Sequence, residues 1–310
     1  MGRATLGRRH GRPGRIAASD SLVAAARKLL TAQYRAIREN ERKAIQGVDP
    51  EPVHDIRVAV RRVRALLRVF RKPLAGTSAA RVSREVAALR RSLAPARDLD
   101  VWVGLLESKA VARLRGSDQS YARYVQALKA RRARRTSYVA ARLRAAPYRR
   151  LCARIERFLD DELTAEPART GAVQPLERFA RRQVIDAVRK VRKRHRADPT
   201  VPSPELHRLR KACRTARYVA EFFAPVLPRA CGEFAVQLHR MATALGTIND
   251  IDTGTARAAR ENPRAPVPML PVLQALRRRA VRRYRGIQET APWLVRERKL
   301  RKCLRKQRRR

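Results

Sequence analysis

Acidic residues are scarce in this 310-residue chain: 27 Asp+Glu face 74 Lys+Arg, leaving a formal net charge of +47. A chain so unbalanced needs an anionic partner. Aromatics make up only 5% of residues, too few for a base-stacking platform that reads nucleic acid. Glycines number 13, and no Asn-Gly stands between alternating apolar runs, so hairpins and sheets are excluded. The four cysteines, Cys152, Cys213, Cys231 and Cys303, form no C-x-x-C pair. That spacing gives neither a zinc cluster nor a disulfide framework and fits a reducing cytoplasm. Long apolar runs are also missing. The longest stretch without a charged side chain, Ala265 to Leu276, carries three prolines and falls short of the roughly 18 residues a bilayer span requires, so no membrane association is expected. Residues 1–19 hold Arg3, Arg8, Arg9, Arg12 and Arg15 without an acid. No apolar signal-peptide core follows, so a disordered basic arm is expected, a composition that an organelle transit peptide shares.

What the chain does have is arginine, 63 against 11 lysines. The planar guanidinium fork suits bidentate contact with phosphate oxygens, so phosphate is the first ligand to consider. The hydrophobic fraction of 44% is that of a folded protein, and helical periodicity between Pro, Gly and polar breaks predicts an all-α fold. Helices are expected near 20–46, 50–72, 78–93, 98–114, 118–146 and 148–164. A second series is expected near 174–196, 204–225, 229–246, 250–261, 269–289 and 292–306.

The two series repeat each other. His54-Asp-Ile-Arg57-Val-Ala-Val-Arg61-Arg62-Val-Arg64 aligns with His207-Arg-Leu-Arg210-Lys-Ala-Cys-Arg214-Thr-Ala-Arg217, and Leu93 to Asp100 aligns with Leu245 to Asp252. Asp49-Pro50 and Ser203-Pro204 each read as a cap followed by proline at a helix start. Two similar halves follow, 20–164 and 174–306, joined by a linker over 165–173 and trailed by a basic tail over 307–310.

At 100° per residue, His54, Arg57, Arg61, Arg64 and Arg68 share a stripe about 80° wide. Val53, Ile56, Val60, Val63 and Leu67 lie beside it as a core face. His207, Arg210, Arg214 and Arg217 repeat the stripe, Lys211 follows one turn after His207, and Glu221 replaces the equivalent of Arg68. Like charges three and four residues apart destabilise a helix by a few tenths of a kcal/mol per pair, a penalty that a bound polyanion offsets. An imidazole facing phosphates favours its charged form, which predicts tighter binding at mildly acidic pH.

These two His-x-x-Arg-x-x-x-Arg-x-x-Arg helices, with Ala-Arg97-Asp98-Leu-Asp100 after the first and Leu-Gly-x-x-Asn249-Asp250 after the second, resemble the CHAD family, the conserved histidine α-helical domain. The resemblance covers about residues 20 to 290. It implies two similar helical bundles about a pseudo-twofold axis, with a basic cleft or pore between them that binds inorganic polyphosphate. It places His54, Arg57, Arg61, Arg64, His207, Arg210, Arg214 and Arg217 on the ligand, with Arg97 in an Arg-Asp turn that Asp98 orients. The Glu-x-Glu-x-Lys signature of the CYTH domain often fused to this family is missing, so the chain looks like the stand-alone form: a non-enzymatic polyphosphate binder of the cytoplasm, without cofactor or metal, and a candidate companion of polyphosphate-granule proteins.

Two rival readings arise from the same residues. Arg131-Arg132-Ala-Arg134-Arg135, Arg189 to Arg196 and Lys299 to Arg310 would attract RNA or DNA nonspecifically. His54-Asp55 matches the core dipeptide of metal-dependent HD phosphohydrolases, a chemistry that needs further ligands on other helices. Cys213, among the apolar positions of its helix, is expected in the core, and Asp250 and Asp252 are expected to be structural.

Overall fold

The computed structural model describes residues 14–108, 111, 119–165, 174–261, 269–291, 301–302 and 304, and of Arg97, Ser120 and Tyr121 the backbone alone. Most of the expected arm, linker and C-terminal tail therefore lies outside the described residues, as do the expected helix at 292–306 for the most part and the Arg97 side chain. The described residues are helical, without a strand. Among them no helix is long and apolar enough to cross a membrane.

Helix α1, Leu22–Gln46, starts where Ser21 Oγ accepts the Ala24 amide and stops at Gly47, whose φ of 71° is the left-handed conformation that spares glycine a Cβ clash. Helix α2, Glu51–Val69, begins one residue later than its Asp-Pro start predicts. The Asp49 carboxylate still accepts the Glu51 amide at 2.9 Å. The α2 core face of Val53, Ile56, Val60, Val63 and Leu67 is buried, each side chain contributing about 1.5–3 kcal/mol of apolar transfer, and α2 packs on α1.

Helix α3 runs unbroken over Ala79–Leu106 through Pro95, where the sequence predicts two helices. Proline removes one amide donor and crowds the preceding turn. The Arg57 guanidinium, donating to the Leu93 and Ala94 carbonyls at 2.6 Å each, braces that turn from α2. Helix α4, Gln119–Arg144, ends at the extended Ala145, and α5, Ala146–Arg157, runs into a π-helical turn over Phe158–Glu162. Helix α6 spans Leu176–Arg192, and α7, Pro204–Phe223, opens with Ser203 Oγ accepting the Leu206 amide at 3.1 Å. Helix α8, Ala230–Glu261, again joins two expected segments, and α9 spans Leu270–Glu289.

Contacts divide the chain into two compact units that do not follow the sequence repeat: residues 1–97 with 134–180, and residues 98–133 with 181–310. In the first unit Phe70 and Phe179 pack with ring centroids 5.3 Å apart, over a core that includes Leu29, Ile56, Leu66, Leu93, Leu143 and Phe158. A polar seam also ties α1 to α5, with Tyr34 donating to Glu156 and Tyr148 to Glu41. The second unit owes residues 98–133 to an apolar cluster in which Leu99, Trp102 and Val103 of α3 and Tyr124 of α4 join Ile251 and Ala258 of α8. Trp102 Nε1 donates to the Tyr124 hydroxyl at 3.2 Å, and Gly254 leaves room for the Trp102 ring. Cys213 is fully buried here, as expected.

Candidate anion-binding site

In the first unit the α2 stripe lies at the border between core and solvent. His54, Arg57, Arg61 and Arg64 are half-buried and Arg68 is exposed. The cationic cluster is larger than the stripe. Arg64 is flanked by Arg90 and Arg91 of α3 as well as Arg68 of its own helix, and burial together with these neighbouring charges holds its pKa below the usual arginine value. The Nε atoms of Arg64 and Arg90 are buried without a hydrogen-bond acceptor among the described residues. Guanidinium groups that remain charged, crowd one another and keep buried donors unused form a site to which an anion brings both charge and acceptors.

Arg90 and Arg91 escaped sequence reasoning because α3 has no stripe of its own, and in the repeat their places fall on Ala242 and Thr243. Their signal was their position on the helix that follows the stripe, one turn before the Ala-Pro-Ala segment that Arg57 clasps. Arg62, outside the stripe and replaced by Thr215 in the repeat, is only 3% exposed.

The second unit holds its stripe differently. His207 Nδ1 donates to Asn249 Oδ1 at 2.9 Å. The Asn249 amide in turn donates to Asp250 at 3.4 Å, and Asp250 lies 3.5 Å from Arg210. This relay fixes the imidazole with its Nδ1 proton toward α8, leaving Nε2 as the atom for a ligand. The Arg210 guanidinium lies against Gly246, matching the Arg57 contact with the carbonyls of Leu93 and Ala94. Arg217 donates to Glu221 at 2.5 Å and stacks over the Tyr218 ring at 5.8 Å. Arg214 is half-buried and Lys211 exposed. Asp252 is bidentate with Arg277, whose remaining arm reaches the Thr200 carbonyl, so Asp252 serves structure as expected. Asp250, beside Arg210, serves structure as expected too, and Asn249 gains a positioning part that the sequence did not reveal. Cationic charge is thus partly neutralised in the second stripe and concentrated in the first.

One group of potential metal ligands is drawn together among the described residues. Donor atoms of Glu51, His54 and Asp55 lie within 4.8 Å of one another. All three come from the first turns of α2, without the ligands from other helices that a catalytic phosphohydrolase centre uses.

The CHAD domain family matches residues 28–259 of this chain. No curated protein matches the sequence. Among solved structures, the CHAD domain from the plant Ricinus communis is similar at a TM-score of 0.72 and 22% identity, covering 92% of this chain and 95% of that one. PptA from Streptomyces chartreusis is similar at a TM-score of 0.59 and 19% identity, covering 89% of this chain and 99% of that one. At these identities the likeness is one of fold.

Proposed function

The chain belongs to the CHAD domain family, and from that membership we propose that it is a non-catalytic binding protein for inorganic polyphosphate. The observation that carries the reading is the cluster of Arg64, Arg68, Arg90 and Arg91, whose charges repel one another and whose buried Nε donors at Arg64 and Arg90 lack acceptors among the described residues. Polyphosphate supplies closely spaced anionic oxygens and no bases, so arginine forks use its whole length. In this reading the first-unit cluster, with Arg57 and Arg61, contributes most of the affinity. His207, Arg210, Arg214 and Arg217 hold further phosphates, with His207 presented through Nε2. The protein is assigned to the cytoplasm, where polyphosphate granules are its natural companions.

The test is a titration of labelled long-chain polyphosphate at about 150 mM salt, with duplex DNA and ATP as competitors at equal phosphate. Arg64→Ala with Arg90→Ala should weaken binding at least tenfold while circular dichroism stays that of the wild type. Unchanged affinity removes the cluster from the site, and equal displacement by DNA makes the protein a general polyanion binder. Orthophosphate release that depends on a divalent cation and is lost in His54→Ala would replace this reading with a metal-dependent phosphohydrolase built on Glu51, His54 and Asp55.

A further inference from the structure

Helix α4 carries no acidic residue between Gln119 and Arg144 but holds Arg123, Lys129, Arg131, Arg132, Arg134, Arg135, Arg142 and Arg144. In its N-terminal half this charge is partly neutralised: Lys129 pairs with Glu107 at 2.7 Å and Arg131 with Glu261 at 2.6 Å. In its C-terminal half the pattern changes. Val139, Ala140 and Leu143 face the core, and the opposite side presents Arg134, Arg135, Ser137, Tyr138, Ala141 and Arg144 to solvent, with Arg142 half-buried beside them. No carboxylate among the described residues pairs with Arg134, Arg135, Arg142 or Arg144. Tyr138, at 44% exposure, is the aromatic ring that stands open to solvent among the described residues. Its neighbours one turn away on the same face are Arg134, Arg135 and Arg142, spaced as helix positions i−4, i−3 and i+4. Ser137 and Ala141, the small residues nearest along the exposed side, crowd it little.

We propose that this face of α4 is a binding site for single-stranded nucleic acid, in which Arg134, Arg135, Arg142 and Arg144 hold phosphates and the Tyr138 ring stacks on one base. Arg134 and Arg142 lie eight residues apart, about 12 Å along the helix axis, so a strand laid across them passes the ring between two phosphate contacts. An aromatic ring among arginines serves a ligand that has both phosphates and flat bases. Polyphosphate has no base and gains nothing from Tyr138. A duplex keeps its bases stacked inside and gains nothing either. The site is built from α4 residues, none of which belongs to the α2 or α7 stripe, and its existence does not depend on what those bind.

Fluorescence anisotropy of a labelled oligouridine at about 150 mM salt tests it, with labelled polyphosphate and an abasic ribose-phosphate oligomer run alongside. Tyr138→Ala should weaken oligouridine binding roughly 5- to 150-fold, the range expected for one lost stacking contact. Tyr138→Phe should restore it, and neither variant should change binding of polyphosphate or the abasic oligomer. Arg134→Ala with Arg135→Ala should weaken all three and flatten the salt dependence. An oligouridine affinity unmoved by Tyr138→Ala, or an equal loss on the abasic oligomer, overturns the proposal. Arg64→Ala with Arg90→Ala should leave the Tyr138 effect on oligouridine intact, so a failed polyphosphate reading and a failed nucleic-acid reading give different results.

Discussion

At the scale of single residues, the arrangement depends on partners that sequence spacing does not reveal. His207 and Asn249 are 42 positions apart, yet their hydrogen bond decides which ring nitrogen faces outward. The repeat placed Asn249 opposite Arg97 and so obscured its part. Arg90 and Arg91 look like two more arginines in an arginine-rich chain until α3 packs beside α2. The buried thiols are simpler: burial pushes Cys213 and Cys231 each up to about 12 from an ordinary 9.0. Folded thiols keep their protons where unfolded ones release them, so their contribution to stability is complete below pH 9 and lost as pH rises toward 12. Urea stability should therefore fall as pH rises from 9 toward 12, and fall less in Cys213→Ala with Cys231→Ala. In a Cys303→Ser background the native protein should resist thiol labelling at pH 8, and the denatured chain should react at Cys152, Cys213 and Cys231.

At the scale of elements, most helix boundaries followed the sequence closely, including the ends of α1 and α9, but the breaks expected inside α3 and α8 did not form. Ser203-Pro204 opened α7 as expected because a side-chain cap and proline at the first helical position act locally. Pro95 looked like a break, but one missing amide donor does not end a helix whose flanking carbonyls receive Arg57 from a neighbouring element. The gap expected between residues 246 and 250 likewise did not break α8. The α8 helix needs Gly254 for space, since a Cβ there would overlap the Trp102 ring. Gly254→Ala should cost about 1–3 kcal/mol by overpacking and lower Tm by roughly 3–10 °C. Restoring Tm by adding Trp102→Leu would confirm that the ring is the obstacle, and a Gly254→Ala protein as stable as the wild type would refute it.

At the scale of the whole molecule, the charge of +47 acts on stability and binding in opposite directions as salt changes. Self-repulsion destabilises the compact state, and screening relieves it as the Debye length shrinks from about 10 Å at 0.1 M to about 3 Å at 1 M. The same screening weakens phosphate binding by reducing the gain from counterion release. The ligand-free protein should therefore melt at a higher temperature as salt is raised, while polyphosphate affinity falls along the same series. Saturating polyphosphate at low salt should raise Tm by mass action on the folded state. A ligand-free Tm that drops with salt would mean that ion pairs such as Arg277 with Asp252 outweigh the net repulsion.

The sequence by itself determined the all-helical class, the two matched stripes and the large excess of positive charge. Each of these rests on composition or on periodicity within one helix, where geometry is set by residues three and four apart. Only the tertiary structure decided how residues 98–133 pack, which arginines crowd together and which find a carboxylate. Those outcomes arise where distant segments meet: Trp102 against Gly254, Arg64 against Arg90, and Asp252 with Arg277. A helical period specifies the face a side chain occupies, but the charge that answers it belongs to another element, and packing alone brings the two within reach.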